Sequence, residues 1–497
     1  MWLWRELYSR LTQYPLRILS LRAPRRPFSL RYYCHDDAGE SAVPDSLNAT
    51  GRRAAVKTLG CKINVYESHI IAQGLIRDHW TMVDSSQEAD LYVINSCTVT
   101  READRQTRQE IRRVLRRNPS AKVVVTGCYA QLAPNELTEI DGVDLVVGND
   151  AKFSIPEILR ANTVSSDLQD QADKYSDYGL GNGSCMPPEL VPRYDDQTRA
   201  FVQVQQGCDH SCTFCVIHKA RGPSRSFEVS AVLEQVEQLI SQGHHEIVIC
   251  GVDLGSFRTS ETNDPAEVQG AGLVRLLKKI DDLSGDFRVR LSSIDPHHIT
   301  DELLEQLSSG GRFCPYLHVS IQSANTLILK RMKRRYSREL LYERVIRAQE
   351  MVPDLVLGAD LMVGFPTETN EQFRDTVNAV EDLQILYPHV FPYSLRDGTP
   401  ASRIPAQVPL ELRRERASLI RVESAKWRHR ALRSWSGRSS EALIERSSTR
   451  PMPGYNARLA NYMPVKVDVC TGDIGEFVNV SVIAVQADTL IAEVIRR

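Results

Sequence analysis

From Ala54 the chain alternates short apolar runs with stretches of helical spacing. AAVKTLG is an apolar run closed by glycine, and NVYESHIIAQGLI then places apolar residues at helical intervals. ADLYVINSC reads as a buried strand ahead of the helical READRQTRQEIRRVLRR, and AKVVVTGC and VDLVVGN repeat the theme. Continuous apolar strands between helices predict a small parallel sheet covered on both faces, a flavodoxin-like α/β domain over 54–160. The pattern lapses between 161 and 195, a polar stretch with Gly and Pro that reads as a linker.

The rhythm returns at about 196. AFVQVQQG, EIVICGVD, RVRLSSID, YLHVSIQS, VLGADLMVGF and HVFPYS are candidate strands, each followed by a helical segment. Six βα units predict a partial or full parallel barrel over 196–432, with chemistry at the strand C-termini. Beyond the charged helix LELRRERASLIRVESAKWRHRALRSW the period changes to two. MPVKVDV, EFVNVSVIAVQAD and TLIAEVIR alternate apolar and polar positions, which predicts a small β-barrel or sandwich over 433–497.

A chain of 497 residues has room for these three units. A formal net charge of -2 argues neither for nor against a nucleic-acid partner, so any RNA contact must come from local patches. RQTRQEIRRVLRR, KRMKRRYSR and RRERASLIRVESAKWRHRALR are such patches, or solvated helix faces. No apolar run reaches the roughly 18–20 residues of a membrane-spanning helix, and no membrane partner is expected. Residues 1–35 hold seven arginines before Tyr32 and one acid, Glu6, the composition of a mitochondrial transit peptide. The expected location is mitochondrial, with a cytoplasmic protein bearing a basic tail as the alternative. Residues 36–53 read as a linker.

Eleven cysteines in a chain this long are not a disulfide scaffold. Cys61, Cys97 and Cys128 each follow directly on a predicted strand. In a parallel sheet those strand ends share one edge, so the three thiols should converge. Cys208, Cys212 and Cys215 lie together in GCDHSCTFC, after the first strand of the barrel region. Three thiolates in one loop suit an iron–sulfur cluster with one iron left open. A zinc site needs a fourth ligand, for which His210 or His218 is at hand. Cys34, Cys185, Cys250, Cys314 and Cys470 share no spacing and read as packing or surface thiols.

GCDHSCTFCVIHKARGPSRS resembles the signature of radical S-adenosylmethionine (SAM) enzymes. The resemblance implies a [4Fe–4S] cluster on Cys208, Cys212 and Cys215, SAM on its open iron, and Phe214 near the adenine. Two cysteine sets in this order, followed by a small β domain, resemble more narrowly the methylthiotransferase family. That resemblance covers about 54–497. It implies a second [4Fe–4S] cluster on Cys61, Cys97 and Cys128 and a C-terminal RNA-binding TRAM domain. The stretches EIVICGVDLGSF, RLSSIDPHHI, LHVSIQSANTLILKRMKRRYSRE and DLMVGFPTET are also family-like. Gly251, Asp253, Ser292, Gln322 and Gly364 end successive strands within them and are the candidate SAM contacts, or else turn and capping residues. Ala324 stands where the family has Gly, and Cys250 and Leu254 also depart from its pattern.

TLGCKINVYES, with Lys62 after Cys61, resembles the branch acting on threonylcarbamoyladenosine (t6A) in tRNA, and HVFPYSLRDGTPA agrees. The implied reaction puts a methylthio group on carbon 2 of that base at position 37, beside the anticodon. The implied partners are the tRNA anticodon loop, an electron donor and a sulfur donor. Isopentenyladenosine in tRNA and a ribosomal-protein aspartate are alternative substrates. A non-catalytic iron–sulfur RNA-binding protein is the alternative of another class. Tyr455 and Tyr462 stack on bases or pack locally.

Overall fold

The structure is a computed structural model that describes residues 51–164, 175–176, 190–194, 197–259, 270–309, 311–448, 454–467 and 473–495. The basic leader, Cys34, Cys185 and Cys470 lie outside the described residues. Contacts group Ala49–Arg497 into one unit.

The first sheet contains β1 (Arg53–Thr58), β2 (Thr81–Met82), β3 (Leu91–Ser96), β4 (Lys122–Gly127), β5 (Leu145–Val147) and β6 (Tyr175–Ser176). Their order is β2-β1-β3-β4-β5-β6, with every pair parallel. The four expected strands, β1, β3, β4 and β5, are the central ones. The two-residue β2 and β6 were missed because an edge pairing that short leaves no apolar run. Pairing of β6 with β5 also draws part of the 161–195 stretch, read as a linker, into the sheet. β3 is buried at every position, as a strand covered on both faces must be.

The second region is an open barrel built from two sheets. β7 (Arg199–Gln206), β8 (Arg225–Ser226), β9 (Glu246–Gly251) and β10 (Arg288–Leu291) form one, in the order β10-β9-β7-β8. β11 (Ser293–Ile294), β12 (Tyr316–Gln322), β13 (Val356–Val363) and β14 (Ile385–Pro392) form the other, in chain order. The run read as one strand, RVRLSSID, breaks at Ser292, and this break is the seam between the sheets. Helices on the convex face cover apolar residues such as Val202, Ile249, Val319 and Leu361.

The third region is a closed barrel of β15 (Ser439–Ser448), β16 (Gly454–Leu459), β17 (Pro464–Val467), β18 (Phe477–Gln486) and β19 (Thr489–Val494). Leu432 and Trp435, at the end of the long helix Leu410–Arg433, join its core to Tyr316, Val356 and Leu386 of the open barrel.

Helix Lys62–Arg77 couples the first two regions. Ile71 and Leu75 pack into the first sheet, whereas Ile63, Val65, Tyr66 and Ile70 join the core of the open barrel. Each fully buried side chain of this size contributes roughly 1.5–3 kcal/mol, so the helix cements two domains rather than covering one. Cys61 stands at its N-terminus.

Candidate active site

The first three cysteines come together as the sheet topology requires. β1, β3 and β4 are adjacent and parallel, so their C-terminal ends share an edge. Gly60 turns the chain after β1 with φ 102°, and a Cβ there would lie 2.6 Å from the Cys97 Cβ. Only glycine lets the Cys61 loop approach Cys97 so closely. Burial, and then the neighbouring Cys61 and Cys128 thiols, push the Cys97 pKa up to about 12. Sulfurs that hinder one another's ionisation in this way need a cation to become thiolates together.

The second set is held by backbone. Gly207 has φ 72°, and any Cβ would fall 1.9 Å from the Pro223 carbonyl oxygen. Cys208 N–H donates to the Gly222 carbonyl at 3.1 Å, and Thr213 N–H donates to the Met332 carbonyl at 3.0 Å. The sulfurs accept in turn: Cys208 from His210 N–H, Cys215 from Ile217 N–H and Cys212 from the Arg334 guanidinium, each at 3.4 Å. Donors aimed at sulfur favour thiolate and tune a bound cluster. Burial raises the Cys208 pKa to about 12 and the Cys215 pKa to about 11.

The two sets face each other. The Cys215 thiol feels Cys128 of the first set. Asn149 bridges them, with its amide 4.0 Å from Cys128 Sγ and donating at 2.6 Å to the Ala220 carbonyl. Behind them lies a buried ionic knot. Glu67 meets Arg221 at 2.7 Å and Lys152 at 2.6 Å, and Arg221 also donates to Asn64 Oδ1 at 2.7 Å. Burial alone would raise the Glu67 pKa, but Arg221 and Lys152 hold it at about 2. Asn64 is 3.7 Å from Cys61 Sγ. A second clamp joins Arg396 to Asp104 and to the Thr98 carbonyl, next to Cys97.

The candidate SAM contacts divide. Gln322 ends β12 with φ 59°, a costly conformation for a side-chain-bearing residue, and its buried Oε1 has no hydrogen-bond partner among the described residues. An orphaned oxygen on a strained strand end suits a ligand. Ser292 stands at the seam, beside the Cys250 thiol. Phe214 packs against Ile328, Met332, Met362, Phe365 and Tyr393. Gly251 is tightly enclosed, 3.1 Å from Gln205 Oε1 at its would-be Cβ. Asp253 has its carboxylate engaged by His210 at 2.8 Å and by Ser256 at 2.6 Å. Gly364 is pressed against Arg413, and its N–H donates to Glu368 at 2.7 Å. Asp253 thus also holds His210, inside the cysteine loop, and Gly364 also lies against the helix that carries Arg413.

Several site residues escaped the sequence reading. His318, Asp360 and His389 gather on β12, β13 and β14, with His318 3.3 Å and His389 3.5 Å from the same carboxylate oxygen. The available signal was parity. Polar residues at every second position of strands expected to be buried mark a polar barrel interior. Tyr462 lies 4.7 Å from Tyr316, at the junction with the open barrel. Tyr455 packs on the closed-barrel core. Cys250 and Cys314 are buried, and Cys250 also feels the Cys61 thiol, so it belongs to the site's surroundings.

The profile described as Uncharacterized protein family UPF0004 matches residues 53–148, and that of the Radical SAM superfamily matches 202–380. A relative from Rickettsia prowazekii, threonylcarbamoyladenosine tRNA methylthiotransferase MtaB, is 38% identical over 416 residues, which are 84% of this chain and 91% of that protein. The chain belongs to the radical SAM methylthiotransferase family. The Thermotoga maritima relative of the same description is 32% identical and covers 88% of this methylthiotransferase and 96% of its own length. A tRNA-2-methylthio-N(6)-dimethylallyladenosine synthase from Thermus thermophilus is 31% identical, covering 85% and 86%. Among solved structures, the radical SAM methyltransferase TsrM from Kitasatospora setae matches with TM-score 0.50 and 16% identity, over 71% of this chain and 74% of that one. That likeness shows the fold alone. By its family, this methylthiotransferase is a transferase whose chemistry uses a [4Fe–4S] cluster and SAM. The 208–215 loop fits such a cluster, with three thiols in one turn and an N–H donor to each sulfur.

Proposed function

We propose that this methylthiotransferase adds a methylthio group to carbon 2 of N6-threonylcarbamoyladenosine at position 37 of tRNA. In this reading Cys208, Cys212 and Cys215 hold the SAM-binding cluster, and Cys61, Cys97 and Cys128 hold a second one. When bound, these groups would supply radical chemistry at the first site and transferable sulfur at the second. The chain's own part is placement. Arg334, His210 N–H and Ile217 N–H steady the thiolates of the loop, while Gln322 offers its free oxygen to SAM. The Glu67–Arg221–Lys152 knot and the Arg396 clamp hold the sheet edge against the barrel, so that one base reaches both sites. Such a base must leave its stack. The closed barrel and the basic helix faces supply salt-dependent contacts to the anticodon arm.

The observation that carries this reading is the convergence of two three-cysteine sets across one domain interface. Relatives described as threonylcarbamoyladenosine tRNA methylthiotransferases at 38% identity support the substrate. The test is mass spectrometry of nucleosides from total tRNA, with and without the gene, in cytosolic and mitochondrial fractions. Loss of 2-methylthio-threonylcarbamoyladenosine with build-up of its unthiolated parent is expected in the mitochondrial fraction. Loss of the isopentenyladenosine derivative instead would reassign the substrate.

A further inference from the structure

The turn Pro296–His298, just past β11, brings two histidines to the strand-end face that carries the cysteine loop. His298 is packed. Its side chain is 1% exposed, and a Cβ on Gly255 would lie 2.0 Å from its Nδ1, so the turn after β9 closes directly on it. His297 is different. Its side chain is 8% exposed, yet neither ring nitrogen has a hydrogen-bond partner among the described residues. The Asp295 carboxylate stands 4.0 Å from Nδ1, beyond hydrogen-bond reach. The ring is nonetheless held in place. His298 lies 3.9 Å from it and Tyr336 is stacked at 6.5 Å, centroid to centroid. Tyr336 is itself anchored by donating to the Ser320 carbonyl at 2.6 Å.

His297 borders the cysteine loop. The His210 ring, between Cys208 and Cys212 in the chain, lies 6.1 Å from it. One nitrogen of each ring and one Asp295 oxygen fall within 4.8 Å of one another. Two imidazoles and a carboxylate are also a donor set for a transition metal. Here two of the three are already engaged. His210 Nε2 is 2.8 Å from Asp253, and Asp295 is ion-paired with Arg334, which also donates to Cys212 Sγ at 3.4 Å. The His297 imidazole is what remains. Burial, and then His298, push its pKa down to about 3, so the ring is neutral, with one nitrogen donating and the other accepting. A buried donor without a partner costs free energy that a ligand can return.

In the proposed function the ligand beside this loop is SAM. Its one anionic group is the carboxylate of its amino-acid end, the end whose nitrogen and oxygen suit an open iron. Phe214, which the family resemblance sets near the adenine, packs away from His297, with Met362 of β13 and Tyr393 just past β14. We infer that His297 is a SAM-binding residue whose ring N–H donates to the carboxylate of SAM. The inference rests on the proposed cluster at Cys208, Cys212 and Cys215, and it names the side chain that fixes the end of SAM nearest the iron. A hydrogen bond to a carboxylate is roughly twice as strong as one between neutral groups, and the ring pays little to form it because packing already holds it.

The test uses the full-length enzyme with its clusters reconstituted, and equilibrium dialysis of SAM and of decarboxylated SAM, which lacks the carboxylate. His297→Leu, close in volume, should weaken SAM binding on the order of 10- to 100-fold and binding of the decarboxylated analogue less than about threefold. His297→Gln keeps an N–H at similar reach and should recover most of the SAM affinity. Iron content should match the wild type in both variants. Equal weakening of the two ligands, no weakening of SAM, or a Gln variant as weak as the Leu variant overturns the inference. So does stoichiometric zinc in the wild type that His297→Leu removes, because the ring would then be a metal ligand. A reconstituted wild type that binds no SAM refutes the proposed loop cluster and the inference with it. A wild type that binds SAM no better than His297→Leu refutes the inference alone.

Discussion

The 207–222 loop and the edge of the first sheet each gather three thiols, by different routes. The loop sets its thiols within eight positions, Cys208 to Cys215, and is held by backbone hydrogen bonds and one glycine that tolerates the Pro223 carbonyl. The sheet edge draws its thiols from positions up to 67 residues apart and relies on parallel pairing of β1, β3 and β4. A site made locally survives small changes in packing. A site made by topology depends on everything that holds the sheet to its neighbour, here the helix Lys62–Arg77 and two ionic clamps.

The sharpest break of this comparison is removal of one sulfur from each set. Cys212→Ala should reduce SAM cleavage by well over 100-fold, since loss of a ligand exceeds the 10- to 100-fold typical of a residue supporting one. Cys97→Ala should keep SAM cleavage while methylthiolation disappears. Quantifying 5′-deoxyadenosine and thiolated product in the same reaction checks both, and surviving thiolation in Cys97→Ala would refute a second cluster there.

Next in size is the buried knot. Glu67→Leu leaves Arg221 and Lys152 uncompensated in the interior, and it should cost about 3–5 kcal/mol in urea unfolding. It should also lower the iron bound at the sheet edge more than at the loop, because Arg221 no longer fixes Asn64 beside Cys61. The same carboxylate sets an acid limit. Its pKa lies at about 2, below the ordinary 4.5, so its contribution is complete above 4.5 and fades as pH falls towards 2. About 3 kcal/mol should be lost across that window, and Glu67→Gln should flatten the profile.

The smallest effects come from neighbours that differ only in burial. Arg396→Met removes charged hydrogen bonds to Asp104 and Thr98 in a largely buried clamp and should cost about 2 kcal/mol. Asp397→Asn breaks the adjacent Arg101 pair, whose side chains are 57% and 88% exposed, and should leave the unfolding midpoint unchanged.

Much of the architecture was legible because each period reports its own environment. Continuous apolar runs marked the doubly covered β3 and β4, and alternation marked the closed barrel. The edge strands β2 and β6 were not, since two backbone pairings need no apolar side chain. The gathering of three thiols in one loop was legible, because its cysteines are neighbours in the chain. The convergence of Cys61, Cys97 and Cys128 could be inferred only from strand ends, and their approach to Cys215 not at all. His318, Asp360 and His389 looked like ordinary strand residues, because nothing in a strand says whether its polar face meets solvent or an enclosed interior. Asp253 and Gly364 had the right placement for ligand contacts. Their tertiary partners, His210 for one and Arg413 for the other, could not be read from the sequence.

The residues alone determined the βα rhythm, the cysteine loop and the change to a β period at the C-terminus. These follow from interactions within a few positions, where side-chain spacing dictates which face is buried. Tertiary structure decided which thiols meet, which charges are paired and which way the barrel's polar face looks. Those outcomes depend on contacts between residues 30 to 300 positions apart, such as Arg221 with Glu67 and Arg396 with Asp104. Their energies come from burial and mutual pairing, which exist only once the domains are packed together.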